Sequence, residues 1–183
     1  MADQATEGLL SPLLKRQRIS AVLSHLKGSV LDVGCGSGAL ADHIDSGNYV
    51  GIDIDLVSID AARADHPLHT FHQELRLDGE TFDTVIALAV IECVSDPVAF
   101  YDALTENLQS GASMRVVCTT HRSLMWAGSQ LSLFSRSAND EHEELLSRER
   151  PAGLGRAASL KLADYRRILF GVSQVVINGC HDS

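Results

Sequence analysis

The stretch Val30-Leu31-Asp32-Val33-Gly34-Cys35-Gly36-Ser37-Gly38 decides the fold. Residues 29–33 (SVLDV) read as a short, fully buried strand, Gly34 to Gly38 as a tight loop, and 39–45 as the start of a helix. Strand, glycine loop and helix in that order make an anion or nucleotide site, because backbone N–H groups face the ligand. The spacing narrows the choice. A dinucleotide fingerprint is G-x-G-x-x-G, whereas here the third glycine follows the second by two positions. Asp32, inside the strand and two residues before Gly34, would repel a pyrophosphate. A buried strand carboxylate is costly unless compensated, so it suits a cationic or hydrogen-bond-donating ligand. An NAD-linked oxidoreductase is disfavoured on both counts.

The rest of the chain repeats the alternation. A helix carrying Leu13, Leu14, Ala21 and Val22 at helical spacing starts at Ser11-Pro12 and stops at Gly28. Residues 49–53 (YVGID) read as the second strand, 56–64 as a helix, 68–73 as the third strand and 82–88 as the fourth. Asp96-Pro97 opens a helix ending near Gly111, before a fifth strand at 113–119. Strands apolar on both faces, alternating with helices, imply an α/β protein with a parallel sheet covered on each side. Past Thr120 the alternation weakens: a polar helix is expected over 140–150, then an antiparallel pair near 157–162 and 172–177. Neither repeats nor a low-complexity linker interrupt the chain, which reads as one domain over 1–183.

Charge is unevenly distributed. The net −9 arises from a block at 32–110 with fifteen acidic and two basic side chains, flanked by segments of net +2 at 1–31 and 111–183. Such a block repels phosphate backbones, so nucleic acid is not an expected partner. Cys35, Cys93, Cys118 and Cys180 show no C-x-x-C spacing, and four free thiols fit a reducing compartment. The longest apolar run, 85–91, is too short to span a bilayer, and the polar, acidic start lacks a signal or transit pattern. A cytoplasmic location is expected.

Motif by motif, the chain resembles the class I S-adenosylmethionine-dependent methyltransferases. Residues 30–38 resemble their motif I, and Tyr49-Val50-Gly51-Ile52-Asp53 the second strand ending in a ribose-binding acid. Phe82-Asp83-Thr84-Val85-Ile86-Ala87 resembles the fourth strand, Val90 to Pro97 the loop written "lEHvpDP", Leu108 to Ala112 the turn "LkpGG", and Ala152-Gly153-Leu154 the "aGF" before the sixth strand. The resemblance spans roughly residues 28–178. It implies a Rossmann-like three-layer sandwich with a mostly parallel seven-stranded sheet and one antiparallel strand near the C-terminus. It further implies an N-terminal helix over the site (1–28), a cofactor-binding half (29–120), and an acceptor cover with closing strands (121–183). The implied cofactor is S-adenosylmethionine, with S-adenosylhomocysteine as product. Its implied contacts are Asp32 near the methionine end, Gly34, Cys35, Gly36 and Gly38 in the loop, and Asp53 with Ile54 at the ribose. Glu74 and Leu75 are implied at the adenine, and Leu88 at the end of the fourth strand. The alternative for Asp53 is a cap for the following helix, and for Glu74 a solvated loop acid.

Metal and acid–base candidates follow. Relatives such as the polyprenyl-hydroxyphenyl O-methylases of ubiquinone synthesis carry Glu-His in this loop, with another acid three residues earlier. This chain has Ala89, Glu92 and Cys93 there, so no metal is expected. His66-x-x-His69-x-x-His72 has tempting spacing, but Pro67 forbids a helix interior and a strand would place His69 and His72 on opposite faces. His121, directly after the fifth strand, and His142, in the variable segment, are the candidate bases, since imidazole titrates near neutrality. Residues 121–150, with Trp126, Arg122 and Arg136, read as core packing or as the acceptor cover. The expected activity is methyl transfer to a small-molecule acceptor, neutral or anionic, on oxygen. The alternatives are an N- or C-methyltransferase, or a non-catalytic S-adenosylmethionine-binding or partner protein. The oligomeric state is not legible.

Overall fold

The computed structural model describes residues 11–73, 79–88, 90–91, 94–108, 115–121, 161–168 and 173–179. Helix α1 (Ser11–Leu23) leads into β1 (Val30–Val33), and β2 (Tyr49–Ile52) into α2 (Leu56–Asp65). Then come β3 (Thr70–His72), β4 (Thr84–Leu88), α3 (Pro97–Glu106), β5 (Arg115–His121), β6 (Lys161–Ile168) and β7 (Ser173–Gly179). Strands β3, β2, β1 and β4 form a parallel sheet in that order, each pair in continuous register. Beyond β4 the order among the described residues runs β5-β7-β6, with β5 parallel to β4 and β7 antiparallel to both neighbours. No helix among the described residues is long and apolar enough to cross a membrane.

The period-two alternation of the strands sorts the core into two layers. Leu31, Val33, Ile52, Val85 and Ala87 face α3, packing with Tyr101 and Leu104. Val30, Tyr49 and Ile86 face the other way, against Ile19 and Val22 of α1 and Ile59 and Ala62 of α2. Asp32 shares that second face by alternation, and lies in register between Gly51 and Ile86. The starts of α2 and α3 are set by acids. Asp55 accepts from the Val57 amide at α2, and Asp96 accepts from the Val98 and Ala99 amides (3.0 Å each) at α3, where Pro97 sits in the first turn.

The helix expected over 39–45 does not form. Ala41–His43 and Ser46–Asn48 are single 3-10 turns instead. Ten residues separate Gly38 from Tyr49, and they include the turn formers Asp45, Ser46, Gly47 and Asn48. So short a segment leaves little propagation to offset helix nucleation, while burial of Leu40 and Ala41 holds it against the core. The polar helix expected over 140–150 lies outside the described residues.

The opposite edge of the sheet is clamped. Asp83 Oδ2 accepts from both the amide (2.9 Å) and the hydroxyl (3.1 Å) of Ser29, and Thr84 Oγ1 accepts from the Lys27 amide (3.1 Å) while donating to the Lys27 carbonyl (2.8 Å). These bonds tie the turn after α1 to the start of β4, so β1 enters the sheet in fixed register and delivers the glycine loop at its other end.

Candidate active site

The site lies at the carboxyl ends of β1, β2 and β4, where parallel α/β sheets present their ligands. Without a following α-helix, the glycine loop is organised by β2. The amides of Gly34 and Cys35 both donate to the Ile52 carbonyl (2.7 and 3.0 Å), and the Gly36 amide donates to Asp53 Oδ2 (2.8 Å). Gly34 and Gly36 adopt left-handed φ values of 76° and 55°, which disfavour any side chain. The two glycines differ in surroundings. A Cβ on Gly34 would collide with the Val90 side chain, whereas a Cβ on Gly36 would meet nothing within 4 Å. Gly34 is thus required by packing, and Gly36 leaves open space beside a loop amide.

Asp53 bridges loop and helix. Its Oδ1 accepts from the Asp55 amide (2.9 Å), and its Oδ2 holds Gly36. The alternative reading of Asp53 as the helix cap is corrected: Asp55 caps α2, and the Ser58 hydroxyl that donates to it (2.8 Å) holds its carboxyl below the usual carboxylate range. Each Asp53 oxygen keeps a lone pair for a ligand hydroxyl. Ile54 follows at 89% exposure, an aliphatic face standing free beside that carboxylate. Leu88, half-buried, closes β4 at the same edge.

Asp32 is 3% exposed. The Tyr49 hydroxyl, itself buried, donates to its Oδ2 at 2.8 Å. Burial pushes the Asp32 carboxyl up to about 7, opposed by the Tyr49 bond, reinforced by the nearby Asp53 charge and opposed again by Lys15 of α1. Burial also pushes the Cys35 thiol up, helped by Asp32 and Asp53, so this buried cysteine is a packing group rather than a nucleophile. Its sulfur sits where a Cβ on Gly51 would come within 3.0 Å, so Gly51 is small to admit Cys35 and Phe71 beside the loop.

Sequence reading missed Tyr49 and Gly51. The local sequence carries no signal for this contact, because only the strand register pairs Tyr49 with Val30 and so sets it on the face of Asp32. His66 and His69 also take a different part from the one their spacing suggests. They pack with Phe71, His66 Nδ1 lies 3.8 Å from Asp42, and His69 Nε2 donates to the Ile44 carbonyl (2.9 Å). Together they brace the 3-10 turns behind the loop. His72 is exposed on the edge strand β3. His121 ends β5 at the carboxyl edge. Glu74, Leu75, Glu92, Cys93, Trp126 and His142 lie outside the described residues.

Comparisons with known proteins bear on the family and the fold. A family model described as a methyltransferase domain matches residues 6–161. A ubiquinone biosynthesis O-methyltransferase of Cereibacter sphaeroides is 34% identical over 106 residues, covering 50% of this chain and 40% of the relative. One of the same name from Dinoroseobacter shibae is 32% identical over the same span. The chain therefore covers about two fifths of the length of these curated relatives. Among solved structures, magnesium protoporphyrin IX methyltransferase from Synechocystis PCC 6803 with bound SAH superposes with a TM-score of 0.73 at 18% identity, covering 92% of this chain and 84% of that one. At that identity the match establishes the Rossmann-like α/β fold alone. With the family model spanning most of its length, the chain belongs to the methyltransferase-domain family.

Proposed function

We propose that this chain is an S-adenosylmethionine-dependent methyltransferase domain acting on a small-molecule acceptor, with oxygen as the methylated atom. The observation that carries the reading is the conjunction of the open backbone at Gly36 with two acids of different character, buried Asp32 and accessible Asp53, at one sheet edge. A pyrophosphate would meet Asp32 as repulsion, whereas an amino-acid ammonium or sulfonium would meet it as a partner. When bound, the cofactor supplies an activated methyl group, which asks for positioning and exclusion of water. In this reading Gly34, Cys35, Gly36 and Gly38 shape the loop, Asp32 faces the cationic end, and Asp53 accepts the ribose hydroxyls. Ile54, Leu75 and Leu88 provide apolar contact and Glu74 receives the adenine edge. No metal takes part.

The names of the curated relatives support oxygen as the acceptor atom. His121 and His142 are the proposed bases for the acceptor hydroxyl. Lys15 on α1, whose charge reaches Asp32, supports a neutral or anionic acceptor lying under that helix. The finished sheet in this reading has seven strands with β7 antiparallel, supported by the order in which β5, β7 and β6 follow β4. One domain and a cytoplasmic setting complete the proposal.

Calorimetry tests the cofactor, and methyl-labelled S-adenosylmethionine with a metabolite extract tests the reaction. Heat with S-adenosylmethionine and S-adenosylhomocysteine, none with NAD, and label entering an acceptor are expected. Heat with NAD alone overturns the reading.

A further inference from the structure

We propose that Tyr49 is a positioning residue for the cofactor site: its hydroxyl holds the Asp32 carboxylate in one orientation and in its charged form, ready for the cationic amino-acid end of the ligand. This rests on the assignment of Asp32 made under the proposed function. It goes beyond that assignment by naming a residue on the neighbouring strand that touches no ligand and yet sets the charge the ligand meets.

The geometry is specific. Tyr49 opens β2 opposite Val30, so its ring lies on the α1 face of the sheet beside Asp32, and the hydroxyl reaches Oδ2 at 2.8 Å. Gly51, the residue of β2 in register with Asp32, carries no side chain to come between them. The ring is itself fixed. His69 meets it edge-on at 5.6 Å between centroids and Phe71 at 5.7 Å, and His69 is anchored on the Ile44 carbonyl. Among the described residues Tyr49 is the sole hydrogen-bond donor to Asp32.

The charges around Asp32 make that donor decisive. From α1 comes Lys15, which favours the carboxylate; from the end of β2 comes Asp53, which opposes it; the glycine loop adds the un-ionised Cys35 thiol, and β4 only apolar Ile86. Burial weighs most, against the charge, and the Tyr49 bond is the largest influence in its favour. Burial and Asp32 together push the Tyr49 phenol up, so it stays a neutral donor at every pH of interest and never acts as a base. An acid poised in this way changes charge across the neutral range. A ligand that demands the carboxylate therefore binds with a pH dependence that the Tyr49 hydroxyl governs.

The test is the affinity for S-adenosylhomocysteine measured by calorimetry between pH 6 and 8.5 for the wild type and Tyr49→Phe. Phe keeps the ring contacts with Phe71 and His69 and deletes only the donor. Wild-type affinity should fall about tenfold from pH 8 to pH 6. In Tyr49→Phe the midpoint of that fall should move upward, leaving affinity about tenfold below wild type at pH 7 and converging on it at the alkaline end. Should the variant not fold, 3-fluorotyrosine placed at position 49 exchanges one ring hydrogen for fluorine and strengthens the donor, and the midpoint should then move downward. A wild-type profile that is flat, or a midpoint that neither change moves, overturns the inference even if affinity drops uniformly. No binding of S-adenosylhomocysteine by the wild type at any pH would instead overturn the cofactor assignment on which it stands.

Discussion

Gly36 and Asp53, seventeen residues apart, are joined across the candidate site by a 2.8 Å hydrogen bond from the glycine amide to Asp53 Oδ2. The bond couples two elements that a sequence treats separately. One is the loop that must leave room for a ligand, and the other is the acid at the end of the next strand. Together with the Ile52 carbonyl, which receives the two preceding amides, it does for this loop what an α-helix at 39–45 would otherwise do.

Replacing Asp53 therefore has two consequences. Asp53→Ala frees the Gly36 and Asp55 amides and should lower stability by about 1–2 kcal/mol, while weakening S-adenosylmethionine binding by about 1–3 kcal/mol. Asp53→Asn, which keeps one acceptor oxygen, should fall between. Melting curves and calorimetry on the same samples separate the two effects. Affinity that stays unchanged in the Ala variant would reduce Asp53 to a loop tie.

Gly36→Val should abolish cofactor binding. The space beside Gly36 is open in the protein, where an added Cβ has nothing within 4 Å, so a valine side chain there competes with a ligand. Its left-handed backbone, φ 55°, adds a stability loss of roughly 1–2 kcal/mol. Gly36→Ala carries the same backbone strain with less bulk, and should retain measurable binding. Equal binding by Val and wild type in calorimetry would show that the ligand does not approach this backbone.

Asp32 predicts an unusual dependence of stability on pH. Its folded carboxyl is raised to about 7, chiefly by burial, above the ordinary value it regains on unfolding. Its contribution is thus fully present below about pH 4 and is lost as pH rises through 7. The shift corresponds to roughly 4 kcal/mol. In denaturant titrations without ligand, Asp32→Asn should gain on the wild type steadily from pH 4 to pH 8. A stability difference that is constant over that range contradicts the buried acid.

Thr84→Val probes the edge away from the site. The substitution is close in shape and leaves the Lys27 amide and carbonyl without their partner, which should cost about 1–3 kcal/mol. Affinity for S-adenosylhomocysteine in the folded fraction should not change, because the clamp sets strand register and touches no ligand. A large loss of affinity at constant fold would show that the two edges are coupled.

By itself the sequence determined the alternation of strands and helices, the glycine loop and the acid that ends the second strand. Each of these is written locally: in apolar runs buried on both faces, in glycines where φ turns positive, and in a carboxylate at fixed distance from the loop. Tertiary structure decided the rest. Residues 39–45 have composition compatible with a helix, but the short path from Gly38 to Tyr49 allows only 3-10 turns. The cap of α2 falls on Asp55 because the Asp53 oxygens are already drawn to Gly36 and the Asp55 amide. Above all, the partner of Asp32 is a matter of register. Alternation says which face a side chain takes, but only the pairing of Val30 with Tyr49 brings a phenol to that buried carboxylate. The local chain cannot record such a contact, because its energy comes from burying two polar groups together that lie on different strands.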